Sequence, residues 1–280
     1  MNLPRFDFPP AAWRVIYSPP APGAWNMALD EALFEASLAG APPALRLYAW
    51  APACLSLGYA QPYGDADAQA LRAHGWQVVR RPTGGRAILH TDELTYSVCG
   101  PQDEPRLAGS VLESYQVLAQ ALLNALQRLH IPAQAHAKPA LAASSDPQGP
   151  VCFDTPSHYE ITVAGKKLIG SAQSRRKGGV LQHGSLPLYG DLTRITQALY
   201  FASEAERNQA ARRLLEHAAT AEMILGQALP WDVAARAFES AFAATLNLTL
   251  VRQEPSPAEL TRAQELVNEK YAHPSWNERI

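Results

Sequence analysis

The sequence has few cysteines, and none is spaced for a structural role. Three cysteines occur in 280 residues, at positions 54, 99 and 152, and no two of them form a CxxC pair. An odd number without such spacing argues against a disulfide framework and against a structural zinc site. We therefore expect free thiols in a reducing compartment.

The sequence also lacks the features of exported, membrane-bound or nucleic-acid-binding proteins. Its N-terminus has no basic segment followed by an apolar one, and nowhere do about 18 apolar residues run uninterrupted. The net charge is −2 and the pI is near 6.4, so a broad basic field is missing. We expect a soluble, cytoplasmic protein that binds neither membrane nor nucleic acid.

Neither common nucleotide-binding motif, GxxxxGK[ST] or GxGxxG, is present. The sequence instead has RRPTGGR at 80–86, with three arginines around a Gly-Gly turn. Glycines let a ligand approach the backbone and arginines bind anionic oxygens bidentately, so this segment suits a ligand carrying a phosphate or a phosphopantetheine group. A hairpin with solvated arginines is the alternative interpretation.

The hydrophobic pattern predicts an α/β (α+β) fold: one domain over residues 1–280, with a sheet flanked by helices and a short helical C-terminal segment at about 256–280. Asn26 is predicted to be the N-cap of the first helix. Residues 131–150 lack periodicity and are predicted to form a surface loop. The other predicted strands lie at 45–50, 55–59, 76–81, 86–90, 94–99 and 246–250, and the third to fifth of these are predicted to be adjacent. The other predicted helices lie at 65–74, 110–130, 193–200, 204–228, 230–245 and from Ser256 to about Tyr271. Gly75 suits the C′ position after the 65–74 helix, and Ser256 to Glu259 forms a capping box that begins the last helix.

Alternation at 159–163 and again from Lys166 to Ser171 predicts a β-hairpin with a two-residue turn at Ala164-Gly165. Successive strand residues point to opposite faces, so at most one of Lys166 and Lys167 faces a site. An exposed edge lysine is the ordinary interpretation of Lys166.

The three cysteines differ in their surroundings. Cys54 and Cys99 lie in apolar or strand-like contexts and are interpreted as small buried hydrophobic residues. Cys152 lies between the predicted loop and the hairpin, beside polar residues. An ammonium group from Lys166 or Lys167 near it would lower its thiol pKa.

Four ordered segments resemble the biotin and lipoate protein ligase superfamily, and most closely its LipM type of octanoyltransferase. They are RRPTGGRAILH at 80–90, CFDTPSHYE at 152–160, GKKLIGSAQSRRKGG at 165–179 and LQHGSL at 181–186. NMALDEAL at 26–33 and the pattern of Tyr48, Trp50, Pro52, Ser56, Gly58 and Gln61 fit as well, so the similarity spans about residues 13–275. Lys166 stands where arginine is frequent, and Ala164 where a better turn-former is usual.

The resemblance implies a single biotin/lipoate ligase-like catalytic domain, with mixed β-sheets flanked by helices. It implies transfer of octanoate from octanoyl-acyl carrier protein to a lysine of a lipoyl domain, such as that of the glycine cleavage H protein. It implies Cys152 as the nucleophile and Lys167 as the group that stabilises the thiolate and the oxyanion and helps to deprotonate the incoming amine. It implies neither ATP nor metal, and we expect a monomer. The residues implied to bind substrate are Arg81, Gly84, Gly85, Arg86, His90, Ser171, Ala172, His183 and Gly184, although His183 also fits a core histidine.

Three other functions stay open at this point. An ATP-dependent lipoate ligase shares the fold and the lysine, but Arg86 stands where that class has a third glycine, and the stretch after Val251 is short for its additional domain. An amidotransferase acting between lipoyl domains would use the same cysteine chemistry. A noncatalytic scaffold that binds carrier or lipoyl domains has no reason to keep both Cys152 and Lys167.

Overall fold

The structure is a computed structural model that describes residues 7–137 and 159–280. Its described strands form a large mixed sheet in the order β11-β1-β2-β6-β10-β9-β8-β7 and a small sheet in the order β4-β3-β5. In chain order these strands are β1 Ala11–Tyr17, β2 Ala44–Tyr48, β3 Cys54–Leu57, β4 Gln77–Arg80, β5 Ile88–His90, β6 Glu93–Pro101, β7 Gln134–Ala137, β8 Tyr159–Val163, β9 Lys166–Arg176, β10 Gly179–Pro187 and β11 Leu248–Arg252.

Helices cover both faces of the large sheet. α3 and α6 pack on one face, and α1 and α7 pack on the other. The described helices are α1 Gly23–Leu38, α2 Ala68–His74, α3 Val111–Arg128, α4 Glu204–His217, α5 Ala221–Leu225, α6 Trp231–Leu246, α7 Pro257–Leu266 and α8 Pro274–Asn277, with 3-10 turns at Tyr63–Asp65 and Leu192–Gln197 and a π-helical turn at Val267–Tyr271. The predicted mixed sheets with flanking helices are confirmed.

The pleat of β6 divides its side chains between these two layers. Leu94, Tyr96 and Val98 belong to the core beneath α3 and α6. Thr95 and Ser97 point the other way, where they bond to polar groups under α1. One face of the sheet therefore supplies an apolar core and the other supplies polar side chains for a site.

Local sequence signals are confirmed where they act within a few residues. Gly75 ends α2 in the left-handed conformation (φ 67°), and the Ser256–Glu259 capping box begins α7 with both reciprocal hydrogen bonds present. The 159–171 hairpin forms with positive φ at Ala164 and Gly165, as a type I′ turn requires.

Asn26 is not the N-cap of the first helix. The helix begins at Gly23 after Pro22, and Asn26 is buried in its first turn. Its Nδ2 donates to the carbonyls of Ala21 and Ala49 at 3.1 and 3.0 Å. Tertiary hydrogen bonds therefore occupy the side chain that was predicted to cap the helix.

Three predicted arrangements are also corrected. β4 and β5 are not neighbours, because β3 lies between them, and β6 belongs to the large sheet. The helix predicted at 204–228 divides into α4 and α5, because Ala218 forms a bridge with Lys167 and Thr220 caps α5. Residues 134–137 of the predicted loop form β7, paired with β8, while 138–150 lie outside the described residues.

Within residues 7–137 and 159–280, no helix has the length and apolar character needed to cross a bilayer. In the same ranges, no group of three or more His, Cys, Asp or Glu side chains is arranged to hold a metal ion.

Candidate functional site

A cavity of about 890 Å³ lies where the small sheet, β9, β10 and the C-terminal helices meet. Its volume is within the range of about 300–1,000 Å³ usual for small-ligand sites. Every predicted site residue that the structure describes lines it: Arg81, Gly84, Gly85, Arg86, His90, Lys167, Ser171, Ala172, His183 and Gly184. Cys152 lies outside the described residues.

Lys167 is buried in the cavity wall at 5% exposure. Its Nζ lies 3.8 Å from Oε1 of Glu160, and its backbone carbonyl accepts a hydrogen bond from the Ala219 amide at 3.1 Å. Lys166, the preceding residue, does not line the cavity, and its Nζ donates to the Leu215 carbonyl at 2.6 Å. At most one of the two lysines was predicted to face a site, and only Lys167 lines this cavity.

Arg81 shapes the Gly-Gly turn by binding backbone carbonyls. One nitrogen of its guanidinium donates to the Ser56 carbonyl at 2.9 Å, and the other donates to the carbonyls of Gly84 and Arg86 at 3.0 and 2.6 Å. The arginines of this segment were predicted to bind anionic oxygens or, in the alternative interpretation, to be solvated. Arg81 lines the cavity, but its described bonds hold the turn in place.

Arg80 serves the fold in a similar way and is fully buried. It donates to the carbonyls of Gly58 and Gln61 at 2.8 and 2.5 Å, and to the carbonyl of Asn277 at 2.8 Å. A single guanidinium thus joins the end of β3 to the C-terminal helix. The expectation of three arginines around an anion is wrong for Arg80, because the polypeptide backbone occupies its donors.

The Gly-Gly turn closes against the main chain after β3. A Cβ built on Gly58 would lie 1.9 Å from the carbonyl oxygen of Gly85, so a side chain at position 58 would displace the turn. Gly85 itself has φ 94°, a conformation that favours glycine. Gly84 is exposed with open space around it, which leaves its backbone accessible to a ligand.

His90 is held by two hydrogen bonds and one stacking contact. Its Nε2 lies 2.7 Å from the Ser56 hydroxyl, its Nδ1 lies 2.6 Å from Oε1 of Glu93, and its ring stacks on Trp50 with centroids 3.9 Å apart. The same carboxylate oxygen also accepts hydrogen bonds from the hydroxyls of Thr95 and Ser185. The ring orientation is therefore fixed before any ligand binds.

A buried carboxylate from α1, Asp30, lies behind the cavity lining and bonds to three buried side chains. Asp30 accepts hydrogen bonds from Arg46, Ser97 and Tyr48 at 2.8, 2.7 and 2.9 Å. Burial raises the pKa of Asp30, but the adjacent Arg46 guanidinium and His183 outweigh burial and hold that pKa below its ordinary value. Asp30 is not among the predicted site residues, although its acidic side chain within the apolar helical segment 26–34 is a signal visible in the sequence.

His183 connects Asp30 to the Gly-Gly turn. Its Nε2 lies 2.6 Å from the Thr83 hydroxyl, and its Nδ1 lies 3.6 Å from the Asp30 carboxylate, which is longer than a hydrogen bond. Burial lowers the pKa of His183, and Asp30 offsets only part of that effect. Burial thus favours the neutral form of the imidazole, and His183 is both buried and part of the cavity lining.

Cys54 and Cys99 are both buried, as predicted. Burial raises the pKa of the Cys99 thiol to about 12 and raises that of Cys54 still further. Neither thiol forms a thiolate near neutral pH, so neither is suited to nucleophilic chemistry.

Proteins of known family match this chain over nearly its whole length. The model of the lipoyl protein ligase A/B catalytic domain matches residues 22–243. The chain is 41% identical to octanoyltransferase LipM of Kyrpidia tusciae, covering 95% of this chain and 98% of that protein. It is 38% identical to octanoyltransferase LipM of Bacillus subtilis, covering 95% and 97%.

Solved structures share the fold at lower sequence identity. A bipartite lipoate protein ligase from Thermoplasma acidophilum aligns with a TM-score of 0.78 and 24% identity over 96% of both chains. Lipoate-protein ligase A bound with ATP aligns with a TM-score of 0.78 and 23% identity over 95% of this chain and 98% of that one. Because the sequence identity to the LipM proteins extends over nearly the full length of both chains, this chain belongs to the LipM octanoyltransferase family, within the proteins that share the lipoyl protein ligase A/B catalytic domain.

Proposed function

We propose that this protein transfers octanoate from octanoyl-acyl carrier protein to a lysine of a lipoyl domain, such as that of the glycine cleavage H protein, through an acyl-enzyme on Cys152. The observation that carries the proposal is the buried Lys167 in the cavity wall. A buried ammonium needs an anionic partner, and Glu160 at 3.8 Å is one that the structure describes. A thiolate or an oxyanion formed in the cavity would be a second.

In the first proposed step, the Cys152 thiolate attacks the carbonyl carbon of the donor thioester. A new carbon–sulfur bond forms, the carrier's sulfur leaves as a thiolate, and that thiolate takes a proton from solvent. The negative charge passes through the carbonyl oxygen in the tetrahedral intermediate. Lys167 stabilises that oxyanion, because a fixed cation in a water-poor site interacts with it more strongly than water would.

In the second step, the neutral ε-amine of the acceptor lysine attacks the carbonyl carbon of the acyl-enzyme. The amide bond forms, the amine loses one proton to solvent, and the Cys152 thiolate leaves with the bonding electron pair. The donor thioester is already activated, so neither step draws on ATP or a metal ion.

The walls of the cavity fit an acyl donor. Met27, Trp50 and Ile88 provide apolar surface, and the open backbone at Gly84 provides hydrogen-bonding groups for an amide-containing arm. An eight-carbon chain has no polar group to satisfy, so it belongs against the apolar side chains.

The direct test is the intact mass of the protein after incubation with octanoyl-acyl carrier protein in the absence of ATP. We expect an octanoyl adduct on the wild-type protein and none on Cys152→Ala. Adding an apo lipoyl domain should then remove the adduct and acylate the domain. Transfer that requires ATP and free octanoate or lipoate would contradict the proposal and support a ligase.

Two further comparisons sharpen the test. Lys167→Met should lower the rate of acyl-enzyme formation by at least about 100-fold, the usual effect of losing one oxyanion-stabilising group. Lys166→Met removes the same charge one residue away and outside the cavity, and should leave that rate unchanged. An octanoylated H protein that donates better than octanoyl-acyl carrier protein would instead identify an amidotransferase.

A further inference from the structure

The Lys, Arg, Asp and Glu side chains that line the cavity, among the residues that the structure describes, are all cationic. Among the described residues that line it are five cationic side chains and no Asp or Glu. The whole chain has a net charge of −2, so this concentration of positive charge is local. The five cations are Arg81, Arg86, Lys167, Arg176 and Lys270.

Two of these cations already have roles in the site. Arg81 binds the carbonyls of the Gly-Gly turn, and Lys167 pairs with Glu160. An octanoyl thioester has no net charge, so the acyl group accounts for none of the other three. Arg86, Arg176 and Lys270 therefore indicate an anionic group on the bound ligand.

Arg176 and Lys270 are held side by side by one carboxylate. Nη2 of Arg176 lies 2.8 Å from Oε1 of Glu31, and Nζ of Lys270 lies 2.6 Å from Oε2. Glu31 also accepts a hydrogen bond from the Tyr271 hydroxyl and does not line the cavity. Two cations share one anion, so the pair presents a net positive charge to the cavity.

The position of Lys270 depends on the C-terminal segment, which lies beyond residues 22–243 matched by the catalytic-domain model. Lys270 lies over the ring of Trp276 at 4.2 Å, and Trp276 donates from its indole nitrogen to the Arg80 carbonyl at 2.8 Å. The Asn277 side chain accepts from the Arg80 amide at 2.8 Å. The segment is thus fastened to the small sheet and completes one wall of the cavity.

We propose that Arg176 and Lys270 form a subsite for the phosphodiester of the donor's phosphopantetheine arm, with Trp276 as its aromatic wall. This inference rests on the proposed function, in which a carrier-bound thioester is the donor. The phosphodiester is the anionic group of that arm. An arginine and a lysine placed together suit it, because the planar guanidinium binds two oxygens and the ammonium adds a point charge.

The test compares two small donors that differ only in the phosphate, octanoyl-phosphopantetheine and octanoyl-pantetheine. For Arg176→Gln and Lys270→Met, KM for the phosphorylated donor should rise roughly tenfold, the effect of losing one charge-assisted hydrogen bond. Both kcat and the KM for octanoyl-pantetheine should remain at wild-type values. Lys270→Arg should retain most of the affinity, and Lys177→Gln, which removes an exposed charge beside Arg176 outside the cavity, should match wild type.

Several outcomes would overturn the subsite. An equal loss with both donors would mean that the two residues support the fold and do not bind phosphate. A rise in KM for the lipoyl domain alone would show that Arg176 and Lys270 bind the acceptor and not the donor. Unchanged kinetics in both variants would show that the two residues bind neither substrate. If wild-type protein does not transfer octanoate from octanoyl-acyl carrier protein without ATP, the proposed function itself fails, which is a different result from loss in the variants alone.

Discussion

The substitution Asp30→Asn tests how the wall of the cavity is stabilised. Asp30 is 1% exposed, and its carboxylate is the anion beside the fully buried Arg46 guanidinium at 2.8 Å. Breaking a buried ion pair by removing one charge costs about 3–5 kcal/mol. Arg46 keeps its bonds to the carbonyl and side-chain oxygens of Asn26 at 3.0 and 2.8 Å. We therefore expect the lower end, about 3 kcal/mol of unfolding free energy.

Urea unfolding followed by circular dichroism measures this quantity, and Glu35→Gln is the matched control. Glu35 pairs with Arg262 at 2.7 Å, but both side chains are partly exposed, at 26% and 37%. Removal of that pair should cost about 0–1 kcal/mol. If Asp30→Asn lies within about 0.5 kcal/mol of the control, the reasoning about the buried pair is wrong.

A double variant distinguishes two contributions to the lost unfolding free energy. One is the loss of the Asp30–Arg46 pair itself, and the other is the cost of leaving one of its charges buried and unpaired. Replacing Asp30 and Arg46 together by leucine removes both charges, so no uncompensated ion stays in the core. The double variant should therefore lose less stability than the sum of the two single variants. Additive losses would show that the pair is not coupled.

Three other predictions follow from the buried groups. Because the pKa of His183 is lowered on folding, the unfolded chain binds the proton more readily, so stability should fall as the pH drops below about 6.5, and His183→Gln should flatten that dependence in urea titrations. Cys54 and Cys99 should resist thiol reagents in the native protein and react in denaturant, so native labelling of either would contradict their burial. Arg80→Met should increase hydrogen exchange at the C-terminal helix, and unchanged exchange there would show that Arg80 does not fasten it.

The fold was predictable from sequence where the determining contacts are local. The hairpin turn at Ala164-Gly165 and the capping box at Ser256 involve residues within a few positions of one another, so their chemistry is visible in the sequence. The pairing of β3 between β4 and β5 is a choice between distant segments, and local patterns do not encode it. The domain boundaries remain a prediction.

Which residues line the candidate site was predictable from the sequence. What each of those residues does there was less predictable. The predicted residues from Arg81 to Gly184 line one cavity, but their functional roles stay predictions. Arg80 looked like an anion ligand because nothing in its neighbourhood revealed the carbonyls of Gln61 and Asn277. Lys270 and Trp276 were missed because the sequence of a surface helix does not show where it packs.

Trp50 and Trp276 should make intrinsic tryptophan fluorescence sensitive to a ligand bound in the cavity. They are the two of the six tryptophans that line it, one buried and stacked on His90, the other half-buried between Lys270 and Arg279. Imidazole and nearby charge both alter indole emission, so a ligand that displaces water or cations from either ring changes the signal. Replacing one tryptophan at a time would therefore show, from the rate of the fluorescence change, when a bound donor reaches Trp50 and when it reaches Trp276. No label would be needed.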